Sequence, residues 1–393
     1  MTNNITTWAN LRSVSDQEII DWARQQQWAK KMADCMQDPI WHAEGDVWTH
    51  TEMVCDQLYQ LDCWNQFSRP DQLKLIMTAV FHDSGKPVVT QVEEATGRIR
   101  SPKHAQHGMR IARRCLMEME CDLQLREEIC YLILFHGRPP FLGKKTQRPV
   151  LRSVNETQAT ELELIRLSNY INHRLMHGFA LADARGRICE SGPRIEDAIN
   201  LWALVAEEME CLETPYTFAN DHARFLFHRN QLDNLHYVPH EDYRCKMTIM
   251  VGLPGAGKDT WLKENRPELS VVSLDQFREE MGIAPKDNQG RVVQAARDRC
   301  RQFLRSRMDF AINATNTTRQ IRQLWTDIGA EYNARIEMVY IEPRLSVLLE
   351  QNSDRNARVP WDVIQRLIDK LDPPTLAECH ELNFAEHQCS NGA

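Results

Sequence analysis

The chain has few of the features that would place it in a membrane, in an oxidising compartment or on nucleic acid in bulk. Its longest apolar runs, such as residues 129–135, are far shorter than the roughly 20 residues that span a bilayer. The opening MTNNITTWAN has no cationic region followed by an apolar stretch, so no secretory leader is expected. The 12 cysteines include no C-x-x-C pair and no zinc-type spacing, which is typical of reduced thiols. A net charge of −8 leaves nucleic-acid binding to local patches. We therefore expect a soluble cytoplasmic protein.

Length and periodicity divide the chain. Its 393 residues suggest two or three domains, and 42% apolar with 26% charged residues is an ordinary globular balance. Helical periodicity dominates to about residue 212, whereas strands and helices alternate after 245. We predict an all-α domain at 1–213, a connecting segment at 214–244 and an α/β domain with a parallel sheet at 245–393. The connecting segment is rich in aromatic residues and histidine; it could stack on bases, but packing between domains is the interpretation we prefer.

A phosphate-binding loop follows the apolar strand at 247–251. Residues 252–258 read GLPGAGK and fit G-x-x-x-x-G-K, in which a glycine-rich backbone surrounds phosphate and the lysine reaches the outer phosphates. Asp259 stands where the motif has Ser or Thr, so the usual hydroxyl ligand of Mg²⁺ is displaced or replaced. We predict that ATP or another NTP is bound with Mg²⁺ by Gly252, Gly255, Gly257, Lys258, Asp259 and Thr260.

Polar residues follow the later strands of the predicted sheet, where ligands of parallel sheets bind. Asp275 and Arg278 follow the strand predicted at 271–274, and Asn313 ends the strand at 310–313. The carboxylate can accept a hydroxyl proton and the arginine can hold a phosphate, although a helix cap and a surface arginine are the plainer alternative. Arg355 and Arg358 precede a helix restart at Pro360, where a lid could bring positive charge over a transferring phosphate.

Histidine and aspartate recur in the helical half. A lone histidine after an apolar helix is more often a core group than a ligand. The adjacent His82-Asp83 pair differs, because an imidazole and a carboxylate on a buried helix end are unfavourable unless something satisfies them. A divalent transition metal bearing an activated water would do so.

The chain carries, in order, His50, His82-Asp83, His104, His136 and Asp183, with the local strings EGDVWTHT and ADARGR. This order resembles the HD phosphohydrolase superfamily over about residues 40–190. In particular it is similar to the HD domain of bacterial tRNA nucleotidyltransferases. Only about forty residues precede this region, so their end-adding activity is not expected. The resemblance implies one ion held by His50, His82, Asp83 and Asp183, and a second held by Asp83, His104 and His136. It also implies that Asp83 is catalytic and that Lys86 meets the substrate phosphate. The histidine-rich ligand set favours one or two divalent transition metals such as Mn²⁺, Co²⁺ or Ni²⁺.

The C-terminal half, about 245–375, resembles the 5′-hydroxyl polynucleotide kinases of the phage type, in its P-loop, its D-x-x-R after the second strand and its lid run NSDR…VP-x-DV. The resemblance implies that Lys258 is catalytic, that Asp275 is the general base and that Arg278 clamps the acceptor's phosphate. Arg355, and less surely Arg358, would be the lid arginine. Asp259 and Asn313 depart from that pattern.

An HD domain ahead of such a kinase is similar to the bifunctional HD-domain polynucleotide kinases of bacterial RNA end repair. The expected substrates are RNA or DNA ends bearing a 5′-OH and a 3′-phosphate or 2′,3′-cyclic phosphate, and a ligase could act downstream. The alternatives are a small-molecule or nucleoside kinase fused to a nucleotide phosphohydrolase, and a nucleotide sensor with one inactive half.

Overall fold

The computed structural model describes residues 5–141, 156–190, 192–284, 286–354 and 358–385. The chain forms two compact units, Met1–Thr217 and Phe218–Ala393. The segment expected to connect them, 214–244, spans this division, and its residues from Phe218 onward belong to the second unit.

The N-terminal unit is almost wholly helical around one apolar core. A short antiparallel hairpin joins β1 (Gln91–Val92) to β2 (Ile99–Arg100), and 3₁₀ turns occupy Trp64–Gln66 and Pro139–Phe141. Capping side chains fix where the central helices begin: Asp46 accepts the first amides of α4, Ser68 those of α5 and Asn172 those of α10. The helices are α1 (Trp8–Leu11), α2 (Asp16–Gln25), α3 (Gln27–Ala33), α4 (Val47–Tyr59), α5 (Arg69–Phe81), α6 (Lys86–Val89), α7 (His104–Glu118), α8 (Leu123–Phe135), α9 (Glu156–Leu167), α10 (His173–Arg185) and α11 (Gly192–Glu208).

The C-terminal unit is a parallel sheet with helical crossovers. Strand order is β4–β5–β3–β6–β7, and every described pairing in it is parallel; Ile249 in the central strand pairs with Ile312 on one side and Met338 on the other. The strands are β3 (Lys246–Val251), β4 (Ser270–Ser273), β5 (Phe310–Asn313), β6 (Arg335–Ile341) and β7 (Glu381–Ala385). The helices are α12 (Asp221–His228), α13 (Lys258–Asn265), α14 (Leu274–Met281), α15 (Gly290–Arg305), α16 (Arg319–Glu331), α17 (Leu345–Ser353) and α18 (Trp361–Asp369).

Two details differ from the sequence interpretation. Leu274, predicted to end a strand, is the first residue of α14, because the Ser273 hydroxyl caps that helix. The aromatic residues Phe225 and Phe227 are buried, and the Phe225 ring centre lies 4.2 Å from that of His380 within the same unit. Buried rings cannot stack on bases. Among the described helices, none is both long and apolar enough to cross a bilayer.

Candidate functional site

The helices of the N-terminal unit bring together the histidines and aspartates that the sequence singled out. Each lies at a helix end or on a helix face turned to the core, and all except His104 are buried. They are His50 on α4, His82 and Asp83 after α5, His104 at the start of α7, His136 after α8 and Asp183 on α10.

Asp83 is the centre of this cluster. Its Oδ2 lies 3.1 Å from His82 Nε2 and 4.0 Å from His50 Nε2, and its Oδ1 lies 3.4 Å from His104 Nε2 and 3.9 Å from His136 Nε2. Two groups that could hold a metal ion therefore share this carboxylate, one with His50 and His82 and one with His104 and His136. Within each group the ligand atoms lie within 4.8 Å of one another.

Backbone carbonyls fix which nitrogen of three imidazoles faces Asp83. The Nδ1 atoms of His82, His104 and His136 lie 2.7, 2.8 and 2.7 Å from the carbonyl oxygens of the residues three positions earlier. A carbonyl oxygen only accepts, so Nδ1 donates its proton to it and Nε2 points into the cluster, where a deprotonated Nε2 can offer its lone pair to a metal ion. This is the orientation in which histidine binds metals.

The donor set fits divalent metal ions. The Nε2 atoms of His104 and His136 lie 3.3 Å apart, and two lone pairs at that distance repel unless a cation or proton lies between them. Within the described part of the chain, His82 Nε2 and Asp83 Oδ1 have no hydrogen-bond partner although both are buried. Imidazole nitrogens with a carboxylate are ligands that transition metals favour over Mg²⁺ or Ca²⁺.

His50 joins Asp183 to a carboxylate that sequence reasoning did not select. Its Nε2 lies 3.0 Å from Asp183 Oδ1, and its Nδ1 lies 3.0 Å from Glu44 Oε1 and 3.2 Å from the Gly186 carbonyl. The same Glu44 oxygen is 2.7 Å from His42 Nδ1, and its other oxygen accepts the Ile188 amide. His42 and Glu44 lie in the turn just before α4, which carries His50, and this proximity in sequence is the one feature that could have indicated them. That Glu44 contacts His50 is seen only in the folded structure.

Two cations lie at the edge of the cluster. Lys86 Nζ is 2.6 Å from Asp83 Oδ2 and donates to Gln37 Oε1, and Arg187 donates to both Asp183 oxygens at 3.2 and 3.3 Å. The sequence prediction included Lys86 but missed Arg187 and Gln37. Arg187 lies two residues past the end of α10. Its four-residue spacing from Asp183 is the spacing at which such pairs meet along a helix, and this could have found the arginine.

The charges set the protonation states of the cluster. Burial alone would raise the pKa of Asp83, but His82 and Lys86 outweigh it and hold the pKa well below its usual range. Burial, with the His104 and His82 imidazoles, lowers the pKa of His136 to about 3, and burial also lowers the pKa of His104. The carboxylate is thus ionised and these two rings are neutral at pH 7, as metal ligands must be.

A close approach of two backbones places His104. A Cβ on Gly85 would lie 2.1 Å from the His104 carbonyl oxygen and 2.5 Å from the Gly108 nitrogen, and one on Gly108 would lie 3.1 Å from the His82 carbonyl oxygen. Glycine at both positions therefore lets α7 pack against the turn that carries the His82-Asp83 pair. This packing brings His104 within 3.4 Å of Asp83.

In the C-terminal unit, the P-loop runs from the end of β3 into α13. Gly255 and Gly257 have φ values of +84° and +90°, and a Cβ on Gly252 would lie 2.5 Å from the Ile341 carbonyl oxygen, so glycine is required at all three. Lys258, the first residue of α13, is buried and donates from Nζ to the carbonyls of Gly252 and Leu253 at 2.9 and 2.8 Å. The lysine is therefore held over the loop whose amides would surround a phosphate.

Asp259 and Thr260 follow in the first turn of α13, and both are exposed. The Nδ2 atom of Asn313 donates to Asp259 Oδ1 at 2.6 Å, and this asparagine is buried at the carboxyl end of the neighbouring strand β5. The two positions at which the sequence departs from the kinase pattern are therefore in direct contact.

Asp275 lies in the first turn of α14, directly after β4, with 82% of its side chain exposed. It pairs with Arg278, whose Nε also donates to Gln289 Oε1 at 2.8 Å. The structure thus brings the predicted base and phosphate clamp together at the carboxyl edge of the sheet. Arg358 is exposed, and Arg355 lies outside the described residues.

Comparison with known proteins identifies the C-terminal region. Residues 247–374 match the family model described as an AAA domain. The L-seryl-tRNA(Sec) kinase of Methanococcus maripaludis is 22% identical over 135 residues, which are 33% of this chain and 53% of that protein. The chain therefore spans about half the length of this relative.

Two solved structures resemble part of this chain. A candidate kinase from Chloroflexus aurantiacus shows 18% identity and a TM-score of 0.31, covering 37% of this chain and 86% of that one. A sugar kinase from Janibacter shows 15% identity and a TM-score of 0.29, covering 36% and 85%. The family match, the kinase relative and the parallel sheet confirm the prediction of an α/β P-loop domain, and the C-terminal unit is kinase-like.

Proposed function

We propose that this protein repairs polynucleotide ends with two active sites. The C-terminal unit transfers the γ-phosphate of an NTP to a 5′-OH end. The N-terminal unit, as an HD phosphohydrolase, removes a 3′-phosphate or opens and removes a 2′,3′-cyclic phosphate. The observation that carries this proposal is the Asp83 cluster, a bridging carboxylate between two imidazole groups, in one chain with a P-loop and the Asp275–Arg278 pair.

In the N-terminal unit, His50, His82, Asp83 and Asp183 would hold one ion, and Asp83, His104 and His136 the other. Divalent metals bound there supply an activated water and positive charge for phosphoester hydrolysis. Lys86 and Arg187 add cationic groups at the rim of the same cluster, where they can hold the substrate phosphate. The buried carbonyl contacts of the imidazoles keep the ligand nitrogens turned inward.

In the C-terminal unit, the sheet order sets the spacing between donor and acceptor groups. The P-loop follows β3 and Asp275 follows β4, with β5 between them. Neighbouring strands are about 4.8 Å apart, so the ends of β3 and β4 are separated by about 10 Å, which leaves room for a transferring phosphate and its acceptor hydroxyl. Asp275 would accept the hydroxyl proton while Arg278 holds the acceptor's phosphate and Lys258 the donor's.

The kinase half has a second candidate function, the phosphorylation of a small molecule. The matched relative is named as a kinase of L-seryl-tRNA(Sec), whose acceptor is carried on an RNA, and this favours a polynucleotide over a free nucleoside. A small-molecule kinase joined to a nucleotide phosphohydrolase is the competing proposal. The exposed position of Asp275 favours the polynucleotide. A proposed base whose side chain is 82% exposed can be reached by the end of a long strand.

One substrate tests both halves: an oligoribonucleotide with a 5′-OH and a 2′,3′-cyclic phosphate, incubated with NTP and divalent metals. Both ends should be processed by the wild-type chain. Lys258→Ala should abolish 5′ phosphorylation and leave 3′ hydrolysis, whereas Asp83→Ala should do the reverse. Phosphorylation of free nucleosides in preference to the oligonucleotide would favour the small-molecule kinase, and no turnover of any acceptor would favour a nucleotide sensor.

A further inference from the structure

The contact between Asp259 and Asn313 joins two departures from the P-loop pattern that look separate in sequence. In P-loop NTPases, the Mg²⁺ ion is held by a Ser or Thr hydroxyl after the lysine and by an acidic residue on a nearby strand. Here the carboxylate follows Lys258, and the strand end carries an uncharged amide. The two side chains are 2.6 Å apart, so they occupy one site between α13 and β5.

The exchange leaves the charge of that site unchanged. The usual pair is a hydroxyl and a carboxylate, and the pair in this protein is a carboxylate and an amide. Each pair carries one negative charge and offers oxygen ligands of the kind that Mg²⁺ prefers. Only the position of the charge differs: it has moved from the end of β5 to the first turn of α13. A carboxylate there is favoured by the helix N-terminus but lies beside the phosphate-binding loop, where it would repel phosphates unless a cation lies between them.

The geometry also assigns different tasks to the two residues. Asp259 is exposed, and Asn313 donates to its Oδ1, which leaves Oδ2 available to a cation. Asn313 is 7% exposed and lies at the end of a fully buried strand, which gives its amide a fixed position.

We propose that Asp259 is the protein ligand of the nucleotide's divalent cation and that Asn313 positions this carboxylate by its hydrogen bond. This rests on the proposed kinase function, because it requires an NTP in the P-loop. The acidic ligand of the metal therefore lies on α13 in this protein and not at the end of β5. Because this carboxylate is next to the phosphates, nucleotide binding should depend unusually strongly on the metal.

The test measures ATP affinity by calorimetry with Mg²⁺ and with EDTA, in the full-length chain. The quantity of interest is the ratio of the two affinities. Asp259→Ser should reduce this ratio by about tenfold or more, as loss of a metal-site residue does, while metal-free ATP binding is unchanged or stronger. Asn313→Asp should also reduce the ratio, since it sets two carboxylates against each other. The double variant, which restores the usual order of hydroxyl and carboxylate, should recover most of it.

Glu264→Ser is the matched control, because it removes an exposed carboxylate from the same helix α13 without touching the P-loop. It should leave the ratio unchanged. Binding of Mn²⁺ with ATP, followed by electron paramagnetic resonance, gives a second readout without turnover. An unchanged ratio in Asp259→Ser, or no recovery in the double variant, would overturn the assignment alone. A wild-type chain that binds no ATP under any condition would overturn the kinase proposal with it.

Discussion

At the scale of single residues, Glu44 shows how a side chain beside a metal cluster can matter as much as a ligand. It is buried and accepts from the Nδ1 side of both His42 and His50. Burial alone would lower the pKa of His50, but the hydrogen bonds to Asp183 and Glu44 outweigh it and raise the pKa. A carboxylate behind a ligand imidazole holds its orientation and increases its basicity.

We predict that Glu44→Gln weakens metal binding by about 10–100-fold, because the amide keeps the shape of the side chain but removes its charge. The measurement is Mn²⁺ affinity by competition with a chromophoric chelator. Glu52→Gln is the control, since Glu52 lies on α4 two residues after His50 but pairs with Arg24 near the surface. Equal affinity of wild type and Glu44→Gln would mean that the carboxylate has only a packing role.

The sequence was most informative about residues whose chemistry is local. The three P-loop glycines follow from spacing alone, because the backbone must turn there whatever surrounds it. Contacts across the chain do not follow from the local pattern. His50 was placed with Asp183, 133 residues later, only through the family resemblance, and the contact of Asp259 with Asn313, 54 residues later, was not predicted. Nothing in the local pattern around Asp259 indicates which distant side chain it contacts.

At the scale of elements, the packing of α7 against the turn after α5 controls the position of His104. We predict that Gly85→Ala displaces α7, because the new methyl group would collide with the His104 carbonyl. Forced overpacking of this kind lowers the free energy of unfolding by about 1–3 kcal/mol. Metal affinity should fall as well, since His104 would move away from Asp83.

Gly137→Ala is the matched control, because a Cβ at that position, next to His136, meets no atom within 4 Å. Denaturant unfolding and Mn²⁺ titration of both variants check the prediction. A Gly85→Ala protein with wild-type stability and affinity would show that α7 can shift without consequence for the cluster.

Helix α10, which carries Asp183, contains a pH-sensitive residue at its start. His173 is fully buried beside Trp202, and burial lowers its pKa to about 4. Its folded-state pKa is thus below the value near 6.5 of an unfolded chain, so acid protonates the unfolded state first. This contribution to stability is complete above pH 6.5, falls as the pH drops to about 4, and amounts to about 3 kcal/mol at most.

We therefore predict that the unfolding free energy of the N-terminal unit decreases between pH 6.5 and 4, and that His173→Gln flattens this decrease. Urea unfolding at several pH values is the measurement. His177→Gln, one turn further along the same helix and partly exposed, should retain the wild-type slope. A His173→Gln protein with an unaltered slope would assign the acid sensitivity to other groups.

At the scale of the whole molecule, the two units differ in the metal chemistry that their ligands favour. Imidazole nitrogens dominate the Asp83 cluster, whereas the P-loop site offers only oxygen atoms. We predict that protein stripped by a chelator and supplied with Mg²⁺ alone keeps 5′ phosphorylation and loses most 3′ hydrolysis, and that Mn²⁺, Co²⁺ or Ni²⁺ restores the hydrolysis. Equal recovery of both activities with Mg²⁺ would contradict the ligand assignment.

The order of helices and strands was predictable over much of the chain, but the first helix and the last strand of the C-terminal unit were not predicted. Strand β5 begins and ends at the predicted residues, 310–313, because a short, fully buried strand reads as a mostly apolar run. Strand β7 was missed, since its sequence ELNFA is only partly apolar and none of its residues is fully buried, so its pairing with β6 leaves no clear pattern in the sequence. Helix α12 was missed as a helix because its aromatic residues suggested a surface.

The last prediction concerns how an acidic protein would hold a long strand. Arg297, Arg301 and Arg305 recur every four residues along α15, and we call these three the arginine stripe. Gln289, which precedes α15, accepts from Arg278, so this helix starts beside the proposed acceptor clamp. In the described structure Arg297 Nε is buried without a partner, Arg301 pairs weakly with Asp298 at 3.4 Å, and Arg305 is exposed.

If the arginine stripe follows a phosphate backbone, replacing all three residues by Gln should weaken binding of a long single strand and lower its salt dependence. Each arginine that neutralises a phosphate contributes about 0.7 to the slope of log affinity against log salt, so the slope should fall by about two. Binding of a mononucleotide acceptor should change little. Arg299→Gln is the control, because Arg299 lies about 200° around the helix from Arg297 and should matter less than Arg301→Gln. An unchanged slope in the triple variant would mean that the arginine stripe is an ordinary solvent-exposed surface that does not contact the strand.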